Sequence, residues 1–167
     1  MDEQRALLRH FLASLAYRTQ KAVRGAPDAF GDFTAGRQVR TPKELVRHMA
    51  SLLGYARTFF LGGRYRPDPL PTLPDEVRRF HELLEDLGRR LETGAPLREI
   101  TIEQLLRGPL ADAMTHAGQL ALLRRLAGIP IPPENFIYAG MAPENLGPDQ
   151  PAPARPDPVW PEGPEPA

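Results

Sequence analysis

Proline placement restricts this chain more than any other feature. Twelve of its twenty prolines lie after residue 129. The closing stretch Gln150–Ala167 (QPAPARPDPVWPEGPEPA) therefore sustains neither a helix nor a central strand, because proline lacks the backbone donor that both ladders use. Residues 1–149 are expected to form one domain with a C-terminal extension, and residues 150–167 an irregular tail. The single tryptophan, Trp160, reads either as a docking aromatic or as an anchor in an extended, solvated tail.

Before residue 129 the apolar side chains repeat at helical spacing in four blocks. Leu7, Leu8, Phe11, Leu12 and Leu15 form the first stripe, and Leu45, Val46, Met49, Leu52, Leu53, Ala56, Phe59 and Phe60 the second. Val77, Phe80, Leu84, Leu87 and Leu91 form the third, and the fourth runs from Ile102 to Ala127. No stretch alternates at the period of a strand. Thr41-Pro42-Lys43-Glu44 and Thr101-Ile102-Glu103-Gln104 read as capping boxes, each worth about 0.5–2 kcal/mol, enough to fix where a helix begins. The linker from Gly25 to Arg40 is long enough for a crossing connection, so the pattern predicts an all-α four-helix bundle.

Charge and composition exclude several classes. Twenty-one basic residues balance twenty-one acidic ones, which gives no clustered positive field to attract nucleic acid or an acidic membrane. The absence of cysteine removes disulfides, thiolate metal sites and any cysteine nucleophile. The N-terminus lacks the basic start and apolar core of a signal peptide, and no apolar run approaches the length of a membrane span. A cytoplasmic protein acting on a small molecule is the expectation, with neither a nucleic-acid nor a membrane partner.

Polar groups that interrupt an apolar stripe are the candidates for function. Counting about 100° per residue from Leu105, Leu123 returns to about 0° and Leu120 to about 60°, while Asp112 falls near 340°, His116 near 20° and Gln119 near 320°. All three are predicted to point inward. Asp112 and His116 are four residues apart and can reach one ion from a single helix. A third ligand must come from elsewhere, and His48, at the edge of the second stripe beside Leu45, Leu52 and Tyr55, can face a neighbouring helix. Alternatives stay open. Gly108-Pro109 can restart the helix and leave Asp112 as an exposed first-turn carboxylate favoured by the helix dipole, an outcome under which the metal site is expected to fail and the enzyme reading with it. His48 and His116 can be hydrogen-bonded core histidines, Gln119 can cap a buried network, and Arg18 can either hold a carboxylate ligand or pack its stem and snorkel. His10 and His81 have no paired ligand at helical spacing. No glycine-rich phosphate loop, GxSxG elbow or HExxH motif is present.

The segment Gly108-Pro109-Leu110-Ala111-Asp112-Ala113-Met114-Thr115-His116-Ala117-Gly118-Gln119-Leu120, with Leu123-Arg124-Arg125-Leu126-Ala127-Gly128-Ile129-Pro130 after it, resembles the last helix of the DinB-like superfamily of damage-inducible, YfiT-like metalloenzymes. Leu45-Val46-Arg47-His48-Met49 resembles that superfamily's second-helix ligand. The resemblance covers about residues 1 to 130, and Asn135-Phe136 and Gly147-Pro148-Asp149-Gln150 resemble the ending of one branch. It implies an up-up-down-down bundle with a long first connection. It also implies a site for zinc, nickel, iron or manganese, built from one histidine of helix two and a histidine pair of helix four. His48 and His116 match two of those positions. Asp112 stands where many members carry histidine, a departure that moves preference away from the softest metals.

Two functions follow as expectations. The resemblance implies a metal-dependent transferase using a low-molecular-weight thiol, or a hydrolase; from their places on the helical stripes, Arg18, Tyr55 and Gln119 are expected to line its pocket. The missing histidine favours a non-catalytic bundle that binds a small molecule or partner in stress response. A homodimer is expected through apolar residues near Phe59, Phe60 and Leu61.

Overall fold

The computed structural model describes residues 2–161. Four long helices make up its body: α1 (Glu3–Val23), α2 (Pro42–Leu61), α3 (Leu73–Glu92) and, after the short α4 (Ile102–Leu105), α5 (Ala111–Leu126). No strand occurs among the described residues, where one isolated bridge pairs Glu134 with Pro156. No helix among them is long and apolar enough to cross a membrane. Both predicted capping boxes form. Thr41 N–H donates to Glu44 Oε2 at 2.9 Å while Glu44 N–H donates to Thr41 Oγ1 at 3.3 Å, and Thr101 and Gln104 pair in the same way. Asp2 and Thr72 cap α1 and α3.

The long helices meet in the cyclic order α1, α3, α2, α5, so each packs on two neighbours. Leu12, Leu15, Met49, Leu53, Phe80, Leu84 and Leu120 are fully buried between them. Each such side chain contributes about 1.5–3 kcal/mol by leaving water. Helices α1 and α2 stand diagonally, and residues 24–41 cross between them. The same order makes α2 and α5 direct neighbours, which sets a histidine of one against polar side chains of the other.

The fourth predicted helix is interrupted. Leu106–Leu110 forms a wide π turn in which Gly108 departs from helical angles (φ −88°, ψ −108°). Pro109 accounts for this, since its ring disfavours helical geometry at the preceding residue and it supplies no N–H to the ladder. Helix α5 therefore starts afresh at Ala111.

From Ile129 onward the chain wraps back over the bundle. Lys21 Nζ donates to Pro132 O at 2.8 Å, Tyr17 Oη to Glu134 Oε1 at 2.8 Å, and Arg24 to Gln150 O. Leu146 is buried against α3 where Gly88 has no side chain to exclude it. Gln150, at the start of the predicted tail, is itself buried, with its amide donating to Asn145 and Gly147. Trp160 is half-buried, while the tail's last six residues lie outside the described set. At the end of α2 the apolar patch expected for dimerisation is smaller than predicted. Phe60 faces the core at 5% exposure, and Phe59 packs edge-on against Tyr55, leaving Tyr55 and Leu61 exposed.

Candidate metal centre

His48 sits in the second turn of α2 and His116 in the second turn of α5, with Asp112 one turn before it. Each of the three offers one ligand atom, and these atoms all lie within 4.8 Å of one another. It is the one such group among the described residues. The two imidazole rings meet edge to face, with centroids 4.7 Å apart and planes at 74°. His116 Nε2 is 3.2 Å from Asp112 Oδ1. Two atoms bound to one ion at 2.0–2.2 Å stand about 3.0–3.5 Å apart, so this pair already has the spacing of shared ligands.

Hydrogen bonding fixes what each nitrogen of His116 can do. Its Nδ1 lies 2.8 Å from Gln119 Oε1, an acceptor, so Nδ1 carries the proton and donates. The neutral tautomer then turns the Nε2 lone pair toward the Asp112 carboxylate. Two acceptors at that distance repel unless a positive charge, a proton or a metal ion, lies between them. Gln119 thereby acts as the outer partner that orients a ligating histidine. At His48, burial holds the ring below the usual histidine range; the Arg40 charge and then His116 add to the effect, and Asp112 opposes it. His48 is neutral near pH 7, as a ligand must be.

The side of this centre that meets water is its carboxylate. His116 is buried and His48 half-buried, whereas half of the Asp112 side chain is exposed. Asp112 is thus an exposed first-turn residue, the placement under which no metal site is expected; that expectation is corrected, because its carboxylate still offers an atom that groups with the ligand nitrogens of both histidines within 4.8 Å. Gln119 is exposed as well. The inward count was wrong for these two because it centred the buried sector on Leu105 and Leu123 and admitted Leu126, which is 56% exposed. Within α5 the buried set is Ala113, His116, Ala117, Leu120, Leu123 and Arg124, whose sector puts Asp112 and Gln119 at its rim and His116 alone inside.

Two expected pocket residues lie elsewhere. Tyr55 is exposed, two turns beyond His48 on α2, and its ring contacts Phe59. Arg18 stacks its guanidinium over Phe136, 3.8 Å from the ring centroid, in a cavity of about 260 Å³ shared with Met114, Ala117, Lys21 and Glu134. Met114 and Ala117 face away from the Asp112 side of α5, so Arg18 holds no ligand of this centre. His10 is exposed on α1, and His81 is buried with Nδ1 donating to Leu146 O at 2.8 Å; neither joins the cluster.

An open groove of about 670 Å³ adjoins the centre, walled by linker residues, including Val39 and Arg40, and by α5 from Gln119 to Leu126. Sequence periodicity missed the linker wall because irregular backbone repeats nothing.

No family model, no curated protein and no solved structure matches this chain.

Proposed function

We propose that the chain is a divalent-metal-dependent enzyme of the DinB-like superfamily, acting on a small molecule as a thiol-dependent transferase or as a hydrolase. One observation carries the reading: His116 Nε2 and Asp112 Oδ1 face each other at 3.2 Å, with His48 completing a group within 4.8 Å. Two imidazoles and one carboxylate suit zinc, nickel, iron or manganese and leave coordination positions open. An ion held there would lower the pKa of a bound water or thiol toward neutrality, a nucleophile that a cysteine-free chain does not supply. Gln119 orients His116, burial keeps His48 unprotonated, and the half-exposed Asp112 opens the centre to solvent and substrate.

The diagonal placement of α1 and α2, spanned by the long linker, supports the up-up-down-down arrangement of that superfamily. The segments around His48 and from Gly108 to Pro130 support membership.

A second reading is favoured by the same pair of atoms. A proton shared between His116 and Asp112 also removes their repulsion and makes the network structural, in a non-catalytic bundle that binds a small molecule or a stress-response partner. Calorimetric titration of chelator-treated, tag-free protein with zinc, nickel, manganese and iron(II) separates the two. Binding of one ion per chain, followed by metal-dependent turnover with glutathione, bacillithiol or mycothiol and an electrophile, or metal-dependent ester hydrolysis, supports the enzyme. Failure to bind any of the four metals leaves the structural network.

A further inference from the structure

The groove beside the metal cluster has the composition of a binding site for an amphipathic anion. Val39, Leu122 and Leu126 are among the largest exposed apolar side chains of the protein, at 47, 50 and 56%, and all three line it. Isolated exposed leucines are ordinary; three sharing one concave surface mark a place where apolar area is covered by something. Arg40 lines the same groove and makes no hydrogen bond or ion pair with the described residues. Its charge acts on the His48 ring, so it stands near the cluster. Just before it Gln38 is held at φ +61°, the left-handed region that a side chain other than glycine seldom adopts. Gln119, at the other wall, is the residue bonded to His116.

An apolar trough with one unpaired guanidinium selects for one charge and a hydrocarbon body. The seven steps from Gln119 to Leu126 span about 10 Å of helix, the length of a chain of about eight carbons. We propose that this groove binds a small monocarboxylate, with its carboxylate paired to Arg40 and its apolar body against Val39, Leu122 and Leu126. Guanidinium forks match carboxylates in a bidentate way, which a neutral head group of the same size does not reproduce. The inference names the substrate class of the proposed metal enzyme, and so rests on that reading for its role in catalysis, though not for binding itself.

The test uses the full chain with methyl-labelled leucine and valine, treated with chelator so that no carboxylate is drawn to a metal. Octanoate and octan-1-ol are titrated separately at pH 7. Octanoate is expected to shift the Val39, Leu122 and Leu126 methyls saturably, about tenfold or more tighter than octanol, and Arg40→Gln is expected to abolish that preference while leaving octanol binding unchanged. Equal affinity for the two probes, shifts centred on other methyls, or insensitivity to Arg40→Gln overturns the proposal. So do shifts of these methyls with protein concentration alone, which would assign the groove to a second copy of the chain. A parallel zinc titration keeps the two readings apart. Zinc binding without Arg40-dependent octanoate binding removes this inference alone. Arg40-dependent octanoate binding without metal binding keeps the groove and removes the enzyme.

Discussion

His116 Nε2 and Asp112 Oδ1 face each other at 3.2 Å across one turn of α5, while the opposite nitrogen of the same ring is committed to Gln119. A contact on one helix with a half-exposed carboxylate is worth little to stability, at most about 1 kcal/mol. Asp112→Asn is therefore expected to leave the metal-free unfolding midpoint nearly unchanged while weakening zinc binding at least tenfold, read by competition with a chromophoric chelator. His48→Ala is expected to weaken it further. Zinc affinity unchanged by either substitution would show that any bound metal sits elsewhere.

Gln119 tests whether the ring is oriented for a ligand. Gln119→Leu removes the acceptor that holds the proton on Nδ1 and is expected to cost about 10- to 100-fold in metal affinity, as loss of such outer partners does elsewhere. Gln119→Glu keeps an acceptor and should retain most of it. Equal losses in both variants would point to groove shape rather than to the hydrogen bond.

The bundle was legible in the sequence because its helices bury single stripes, and because α2 and α4 begin at threonines whose partners lie three residues on. The same periodicity misled at Asp112 and Gln119. The inward sector was centred on Leu105 and Leu123 and reached as far as Leu126, which is exposed, whereas the buried side chains of α5 lie to the other side, around Leu120 and Ala113, and leave Asp112 and Gln119 at the rim. His48 was placed at the core's edge by its own stripe, which α2 follows without interruption. The pairing of α2 with α5 is a tertiary fact that no spacing states. The C-terminal wrap was illegible for another reason: Glu134 and Leu146 are fixed by cavities in distant helices, Glu134 beside Tyr17 and Leu146 over Gly88, and not by any local repeat.

That wrap gives the fold an acid-sensitive element. His81 is buried at 1% exposure, donates from Nδ1 to Leu146 O, and has its pKa lowered by burial against the opposing pull of that bond and of Asp149. The unfolded chain takes up a proton near the ordinary histidine value of about 6.5, whereas the folded ring refuses it until lower pH. Stability from this group is thus complete above that value and is lost as pH falls below it, and His48 contributes with the same sign. His81→Asn, whose amide can still donate to Leu146 O, is expected to flatten the fall in urea midpoint between pH 7 and 5. An unchanged slope would place the acid sensitivity in other groups.

The strongest single polar contribution to the wrap is predicted at Glu134. Its side chain is fully buried, accepts from Tyr17 Oη at 2.8 and 3.0 Å, and lies 3.3 Å from Lys21 Nζ. Burial and the carboxylate together push the Tyr17 hydroxyl above its ordinary range. Tyr17→Phe deletes one donor and leaves the ion pair, at a cost of about 1–2 kcal/mol. Glu134→Gln keeps an acceptor for the hydroxyl but leaves Lys21, only 10% exposed, without its counter-charge, at a cost of about 3–5 kcal/mol. The two effects share one carboxylate, so the double variant should cost less than their sum. Urea unfolding of the three variants measures this. A Glu134→Gln cost no larger than that of Tyr17→Phe would mean that Lys21 keeps enough water, together with Pro132 O at 2.8 Å, to need no counter-ion, and that the segment is held by packing and main-chain bonds alone.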